Sequence, residues 1–271
     1  VSGEGRVQRT ALVTGASSGI GAALATVFAA EGFDLVITAR REERLRALAD
    51  RLSREHARHV EVITADLSLR DAPAELCAEI ARRGVVVDVL VNCAGFGVPG
   101  AFLSSPWERH AGLLQVTVHA ASELTHRLLP GMVERGYGRV LNMASLAALV
   151  PAPAGHTLYA ACKALIVKFS EALAGEVWTS GVYVTVLCPG FTRSEFHDVT
   201  GTRGLVRRLP WWLWSDAESV AREGFDAVMR GTPLHVPGRV NRLIRVLSRL
   251  LPQRVLVGIG RLTAGRYRNR N

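Results

Sequence analysis

Short apolar runs rich in β-branched residues recur along the chain and alternate with longer segments of helical periodicity. The runs are Ala11–Val13, Asp34–Thr38, Val60–Thr64, Val87–Val91, Arg139–Met143 and Val182–Leu187. Between them, Gly21–Glu31, Glu42–His56, Ala72–Arg83, Leu113–Leu128 and Leu158–Thr179 repeat apolar residues at the spacing of one helix face. A strand that reads as a continuous apolar run is buried on both faces, and a helix between two such strands supplies the crossover that parallel pairing needs. The pattern predicts an α/β fold with a doubly wound parallel sheet covered by helices on both sides. After Pro189 the alternation stops. An irregular stretch with Trp211, Trp212 and Trp214 leads to helical segments at Ala217–Met229 and Arg239–Leu251.

At 271 residues the chain suits one large domain, and no linker, repeat or low-complexity tract divides it. The expected partition is a core over 10–192, a lid region over 193–237 and a basic helical extension over 238–271. No stretch is a continuous apolar span. Thr10 to Ala30 contains a glycine-rich turn, and Val140 to Cys162 is interrupted by Pro151, Pro153 and His156. Val1 to Arg9 is polar and lacks a secretory core, so a cytoplasmic protein is expected. The four cysteines form no CxxC pair and show no metal-type spacing with histidine; they read as reduced and buried, with no metal site. The formal charge of +9 is carried by arginine, a composition that argues poorly for nucleic-acid binding. Its distribution says more. No acidic residue follows Asp226, whereas ten arginines run from Arg230 to Arg270.

Two constellations carry chemistry. The first strand ends in Thr14-Gly15-Ala16-Ser17-Ser18-Gly19-Ile20-Gly21 and opens directly into a helix. Glycines there permit a tight turn and close approach of a pyrophosphate to the helix N-terminus, where the dipole favours anions. The spacing is Gly-x3-Gly-x-Gly rather than the Gly-x-Gly-x2-Gly of the commoner dinucleotide fingerprint. Tyr159 and Lys163, four residues apart, share one helix face. The ammonium favours the phenolate, and bringing a phenol from about 10 to about 7 takes roughly 4 kcal/mol of differential stabilisation. A tyrosine so poised exchanges a proton with an alcohol oxygen. The chain has only two lysines among its 33 basic residues, so lysine is not the default choice here.

With these segments in this order, the chain resembles the short-chain dehydrogenase/reductase family from about Thr10 to Phe196, and more loosely to Pro252. The resemblance implies a Rossmann-type fold and a nicotinamide cofactor. Asp66-Leu67 resembles the family's adenine contact. Leu90-Val91-Asn92-Cys93-Ala94-Gly95 resembles its Asn-Asn-Ala-Gly segment with cysteine for the second asparagine; Asn92 would brace the sheet, and Ala94 and Gly95 would let backbone lie near the cofactor. Ser145 falls at the catalytic serine. Pro189-Gly190-Phe191-Thr192 resembles the loop that closes on the nicotinamide, with Thr192 at its carboxamide. The implied mechanism is hydride transfer to a carbonyl carbon, with Tyr159 as proton donor, Ser145 on the same oxygen, and Lys163 holding the ribose and lowering the tyrosine pKa. The family's asparagine in the preceding helix is matched by Thr117, so the water relay is either rebuilt or turnover is reduced. His119, close by in sequence, is expected to point elsewhere.

The second strand is followed by Thr38-Ala39-Arg40-Arg41 rather than by an acid, so a 2′-phosphate is not repelled and Arg40 is expected to pair with it. NADP(H) is the expected cofactor. Trp211 to Trp214, downstream of Arg203, Arg207 and Arg208, suit a lid over a hydrophobic carbonyl substrate with an anionic end such as an acyl thioester, or else packing of the lid or a subunit contact. The segment from His235 resembles the tail of a bacterial branch related to fatty-acyl and steroid ketoreductases. Arg239, Arg242, Arg245 and Arg249 oppose Leu243, Ile244, Leu247 and Leu250 on one helix. The leucine stripe is expected to dock on its own domain, with peripheral contact to an anionic bilayer as the alternative. The resemblance also implies a homo-oligomer, dimer or tetramer, built through Leu113–Leu128 and Leu158–Thr179. A reductase is the leading expectation; a cofactor-binding sensor or scaffold, suggested by Thr117, and a membrane-peripheral 3-oxoacyl or steroid ketoreductase are its alternatives.

Overall fold

The computed structural model describes residues 8–151, 155–196, 210–250 and 258. Pro153, Arg203, Arg207, Arg208, Leu251, Pro252 and the arginines beyond it lie outside the described residues. In chain order the strands are β1 (Thr10–Thr14), β2 (Asp34–Ala39), β3 (Val60–Thr64), β4 (Val89–Asn92), β5 (Gly138–Met143), β6 (Val182–Leu187), β7 (Phe191–Arg193), β8 (Trp214–Asp216) and β9 (Leu234–His235). Seven of them form one sheet in the order β3-β2-β1-β4-β5-β6-β9, parallel throughout. Strand order reverses between β1 and β4, the switch point at which ligands bind in open α/β sheets. The fold is therefore of the Rossmann type expected. β7 and β8 pair separately, Phe191 opposite Trp214.

The helices are α1 (Gly19–Ala30), α2 (Glu42–His56), α3 (Ala72–Arg82), α4 (Trp107–Leu114), α5 (Ala121–Glu134), α6 (Thr157–Val177), α7 (Ala217–Met229) and α8 (Arg239–Leu250). α1, α2 and α7 cover one face of the sheet, and α3, α5 and α6 cover the other. α2 shows why its sequence is helical. Leu45, Leu48, Ala49 and Leu52 are buried at the spacing of one face, Glu42 and Glu43 sit at the positive end of the dipole, and Ala57 closes the helix in the left-handed conformation. α1 is buried more widely, because it is sandwiched between the sheet and α7.

Two departures have physical causes. The helix expected at Leu113–Leu128 runs from Trp107 to Glu134, with Gln115–Ala120 wound as a π-helical turn between α4 and α5. That wider turn shifts the phase of the apolar stripe, which hides the polar first turns from a periodicity reading. β9 pairs with Val186 and Leu187 through only two residues, too few to show any alternation. All four cysteines are free thiols, Cys162 and Cys188 buried and Cys77 and Cys93 half-buried. Among the described residues no helix is long and apolar enough to cross a membrane.

Phe28, Phe33 and Phe225 meet edge to face at centroid distances of 4.9 to 6.2 Å and join α1 to α7. Phe28→Ala is expected to lower stability by about 3–5 kcal/mol in urea denaturation. A loss below about 1 kcal/mol would show that this aromatic cluster does not hold the two helices together.

Candidate active site

The turn between β1 and α1 is shaped by backbone crowding. Gly15 has φ +70°, and a Cβ there would lie 2.9 Å from the Ala94 backbone; a Cβ at Gly21 would collide with the Gly15 carbonyl. Only glycine fits both positions, and the result is a cradle at the N-terminus of α1. The Thr14 hydroxyl donates to the Val91 carbonyl at 3.2 Å and accepts from the Cys93 and Ala94 amides, both at 3.0 Å. It thereby ties the ends of β1 and β4 together and sets the path of Ala94 and Gly95.

The expected cofactor positions come together. Gly15, Ser17, Ser18, Gly19, Ile20, Gly21, Arg40, Asp66, Leu67, Ala94, Gly95, Pro189, Gly190 and Thr192 line one cavity of about 510 Å³, with Ser145, Tyr159 and Lys163. Asp66 is held in a tight turn by the Ser68 amide and hydroxyl at 3.0 and 2.7 Å. Asn92 does not line the cavity. It is buried beneath it, donating to the Ala121 carbonyl, the Thr125 hydroxyl and Asn142 Oδ1 at 3.2, 3.1 and 2.9 Å, and Asn142 donates on to Ser170 at 2.9 Å. This network braces β4, β5, α5 and α6 together.

Ser145 follows β5 and caps a 3-10 turn, accepting from the Ala147 amide at 3.2 Å. It also hydrogen-bonds the Tyr159 phenol. Lys163 is 5% exposed, donates to the Met143 carbonyl at 2.7 Å, and has its Nζ 5.8 Å from the centroid of the Tyr159 ring. Burial, not the cation, governs both groups. It raises the phenol above its ordinary 10, with the Ser145 hydrogen bond acting against it. It also lowers the ammonium from 10.5 to about 8. Desolvation disfavours both charged forms, and in this structure it sets the direction of both shifts. Thr117 is 3% exposed, and its hydroxyl has no hydrogen-bond partner among the described residues. A Cβ on Gly95 would sit 3.9 Å from Thr117 Oγ1 and 3.7 Å from Lys163 Nζ, so both polar groups face the same point. His119 is turned away, beside Gln115 and Glu123 at 3.2 and 3.5 Å.

Several lining residues escaped the sequence pattern. Arg40 is exposed at the cavity, whereas Arg41 turns inward: it donates to Ser17 Oγ at 3.2 and 3.0 Å and to Ser18 Oγ at 2.7 Å. Glu195 meets both Arg41 and Arg44, at 3.1 and 2.7 Å. Choosing between two adjacent arginines requires the direction of the chain leaving β2, which no motif spells out. Phe96, Val150, His156, Phe196, Leu213 and Ile244 form apolar and aromatic wall around the tyrosine. His156 stands edge-on to its ring at 6.1 Å, and burial lowers the pKa of this imidazole. The tryptophan cluster splits. Trp214 packs on Phe191 at 5.8 Å, while Trp211 and Trp212 face outward.

A glycine cradle at a helix N-terminus, an arginine on two serine hydroxyls and a Ser-Tyr-Lys set in one cavity define a dinucleotide-dependent oxidoreductase. Comparison with known proteins agrees. The short chain dehydrogenase family model matches residues 9–203. A short chain dehydrogenase of Pseudocercospora fijiensis is 38% identical over 199 residues, covering 71% of this chain and 62% of that relative's length. The structure of a short-chain dehydrogenase from Sphingobium yanoikuyae in complex with NADPH superposes with a TM-score of 0.79 at 30% identity, over 90% of this chain and 96% of that one. A bulky-bulky ketone specific alcohol dehydrogenase from Comamonas testosteroni gives 0.75 at 29%, over 92% and 96%. The chain belongs to the short chain dehydrogenase family. It is an oxidoreductase that uses a nicotinamide cofactor.

Because the Lys163 ammonium is buried, its charged form destabilises the fold below pH 8 and the penalty fades as pH rises from about 8 to 10.5. Lys163→Met is therefore expected to stabilise the cofactor-free protein at pH 7, by up to about 3 kcal/mol, with the gain disappearing at strongly alkaline pH. Urea melts across that range check the sign. A destabilised variant at pH 7 would mean that the bond to Met143 outweighs desolvation.

Proposed function

We propose that the protein is an NADP(H)-dependent oxidoreductase that interconverts a ketone or aldehyde and an alcohol on a hydrophobic substrate. The observation that carries the reading is the meeting of Ser145, Tyr159 and Lys163 in the cavity that the glycine cradle also lines. The cradle from Gly15 to Gly21 and the loop from Pro189 to Thr192 would hold a nicotinamide dinucleotide, which would supply the hydride for a carbonyl carbon. Tyr159 gives its phenolic proton to the carbonyl oxygen, and Ser145 donates to the same oxygen. Burial disfavours the phenolate, so the charge on Lys163 matters as the proton leaves, when it stabilises the forming anion. Thr117 and Lys163, facing the same point, would hold a water that returns the proton. The apolar wall supports a bulky hydrophobic carbonyl; an anionic end would need the arginines at 203, 207 and 208.

Arg41, already on Ser17 and Ser18, is the residue proposed to take a 2′-phosphate, with Arg40 at the rim. The anion it now meets is the Glu195 carboxylate, in a pair exposed by about two fifths on each side. Such pairs are weak and readily exchanged. The four free thiols support a reducing, cytoplasmic setting. Exposed Val133, Leu165 and Trp178 on or beside α5 and α6 support a homo-oligomer through those helices. Thr117 keeps a second reading open, a cofactor-dependent sensor or scaffold.

Tyr159→Phe is expected to lower carbonyl turnover by about 10²- to 10⁴-fold while leaving NADPH binding intact; unchanged turnover sinks the mechanism, and unchanged biological activity favours the sensor. Wild-type reduction should decline as pH rises through about 8, when Lys163 loses its proton. Arg41→Ala is expected to weaken NADPH by about ten- to a hundredfold and to leave NADH unaffected in titration calorimetry. Equal losses for both cofactors would remove the phosphate contact from Arg41.

A further inference from the structure

α8 is mounted inside out. Its one buried residue is Asn241, with Arg245 and Ser248 half-buried on the same face; Asn241 donates to the Pro237 carbonyl at 2.8 Å, and Ser248 reaches the Leu149 carbonyl at 3.5 Å. The opposite face carries Leu243, Val246, Leu247 and Leu250, which are 58%, 52%, 50% and 75% exposed. This corrects the expectation that the leucine stripe docks on its own domain. The polar face docks, because Asn241 packs against Gly190, where a Cβ would clash with its amide. The turn at Trp211–Leu213 lies against α8 and adds Trp211 and Trp212, 77% and 52% exposed, while Leu213 and Ile244 line the active-site cavity.

We infer that this outward face of α8, with Trp211 and Trp212, docks on an anionic lipid bilayer and sets the mouth of the cavity against the lipid. Four leucine and valine side chains on one helix face, with exposed arginines on the same helix and exposed tryptophans on the adjoining turn, match a helix lying in a membrane interface. Charge selects the occupant. α8 has no acidic residue, and none follows Asp226 in the chain; Arg239 is exposed at the start of the helix, and Arg242 and Arg249, seven residues apart, are exposed along one flank of the stripe. A second copy fits less well. Antiparallel pairing of two stripes about a two-fold axis puts both arginine flanks on the same side, and parallel pairing sets each flank against a helix without a carboxylate. The surface deepens the proposed activity, and rests on it only for its purpose: a hydrophobic carbonyl compound dissolved in lipid would reach Tyr159 without crossing water.

The test uses the full-length protein saturated with NADPH, sedimented with phosphatidylcholine vesicles with and without phosphatidylserine. Wild type is expected in the pellet with anionic vesicles, in a salt-sensitive manner. A Leu243→Ser/Leu247→Ser variant should lose at least about tenfold in vesicle affinity, and Arg239→Gln/Arg249→Gln about tenfold or more on anionic vesicles alone. Both should keep wild-type melting and wild-type reduction of a water-soluble ketone. Absence of wild-type sedimentation, or equal affinity in the leucine variant, overturns the inference. So does a leucine variant that dissociates to monomers, which would assign the stripe to a subunit contact. If vesicle binding follows the expected pattern but no ketone is reduced, the surface stands and the proposed activity fails.

Discussion

Lys163 places an ammonium in the interior with no carboxylate partner among the described residues; its one protein acceptor there is the Met143 carbonyl. Burying such a charge opposes folding, and a chain under no functional demand would replace it with an apolar residue of similar volume. Much of the surrounding architecture is explained by accommodating it. Gly95 lies beside Nζ, where a Cβ would stand at contact distance, 3.7 Å, from the ammonium. The Asn92–Asn142–Ser170 network beneath fixes the ends of β4 and β5 against α6, so that Met143, Ser145 and Tyr159 converge on the same place. The low pKa of the lysine and the high pKa of the tyrosine have one origin, the dryness of that place.

The second organising contact runs between distant parts of the chain. Arg41 and Arg44, at the start of α2, meet Glu195, just beyond β7. The arginines hold the carboxyl below its usual range, Arg44 more strongly than Arg41. The pair links the edge of the cofactor cavity to the segment that leads into the lid region. Its exposure keeps it weak, so an anion arriving at Arg41 competes on favourable terms.

α8 joins the two ends of the molecule's chemistry. Asn241 on its inner face seats the loop that carries Gly190 and Thr192, and Ile244 borders the cavity. Its outer face is the most extended apolar stripe left open on any described helix. One element therefore borders the loop of Gly190 and Thr192, the wall of the cavity and the exposed surface. The polar side of the helix is turned inward: Asn241 packs on the Gly190 backbone and bonds its own helix start at Pro237, and Ser248 reaches the Leu149 carbonyl.

Sequence alone determined the alternation of strands and helices, the parallel sheet it implies and the Gly15–Gly21 cradle, because strand and helix periods and glycine's conformational freedom are local properties. It also determined that Tyr159 and Lys163 share one helix face, through a spacing set by one helical turn, whereas Ser145 was placed beside them only by the family resemblance. How Arg41 is seated on Ser17 and Ser18, where the π turn shifts the register around Thr117, and which face of α8 turns outward were decided only by the tertiary structure. Each depends on what lies across a gap of many residues: Glu195 and Ser17 for Arg41, Gly95 for Thr117, Gly190 for Asn241. The direction of the tyrosine's pKa belongs with these, since desolvation is a property of the packed interior and two residues on a helix do not reveal it.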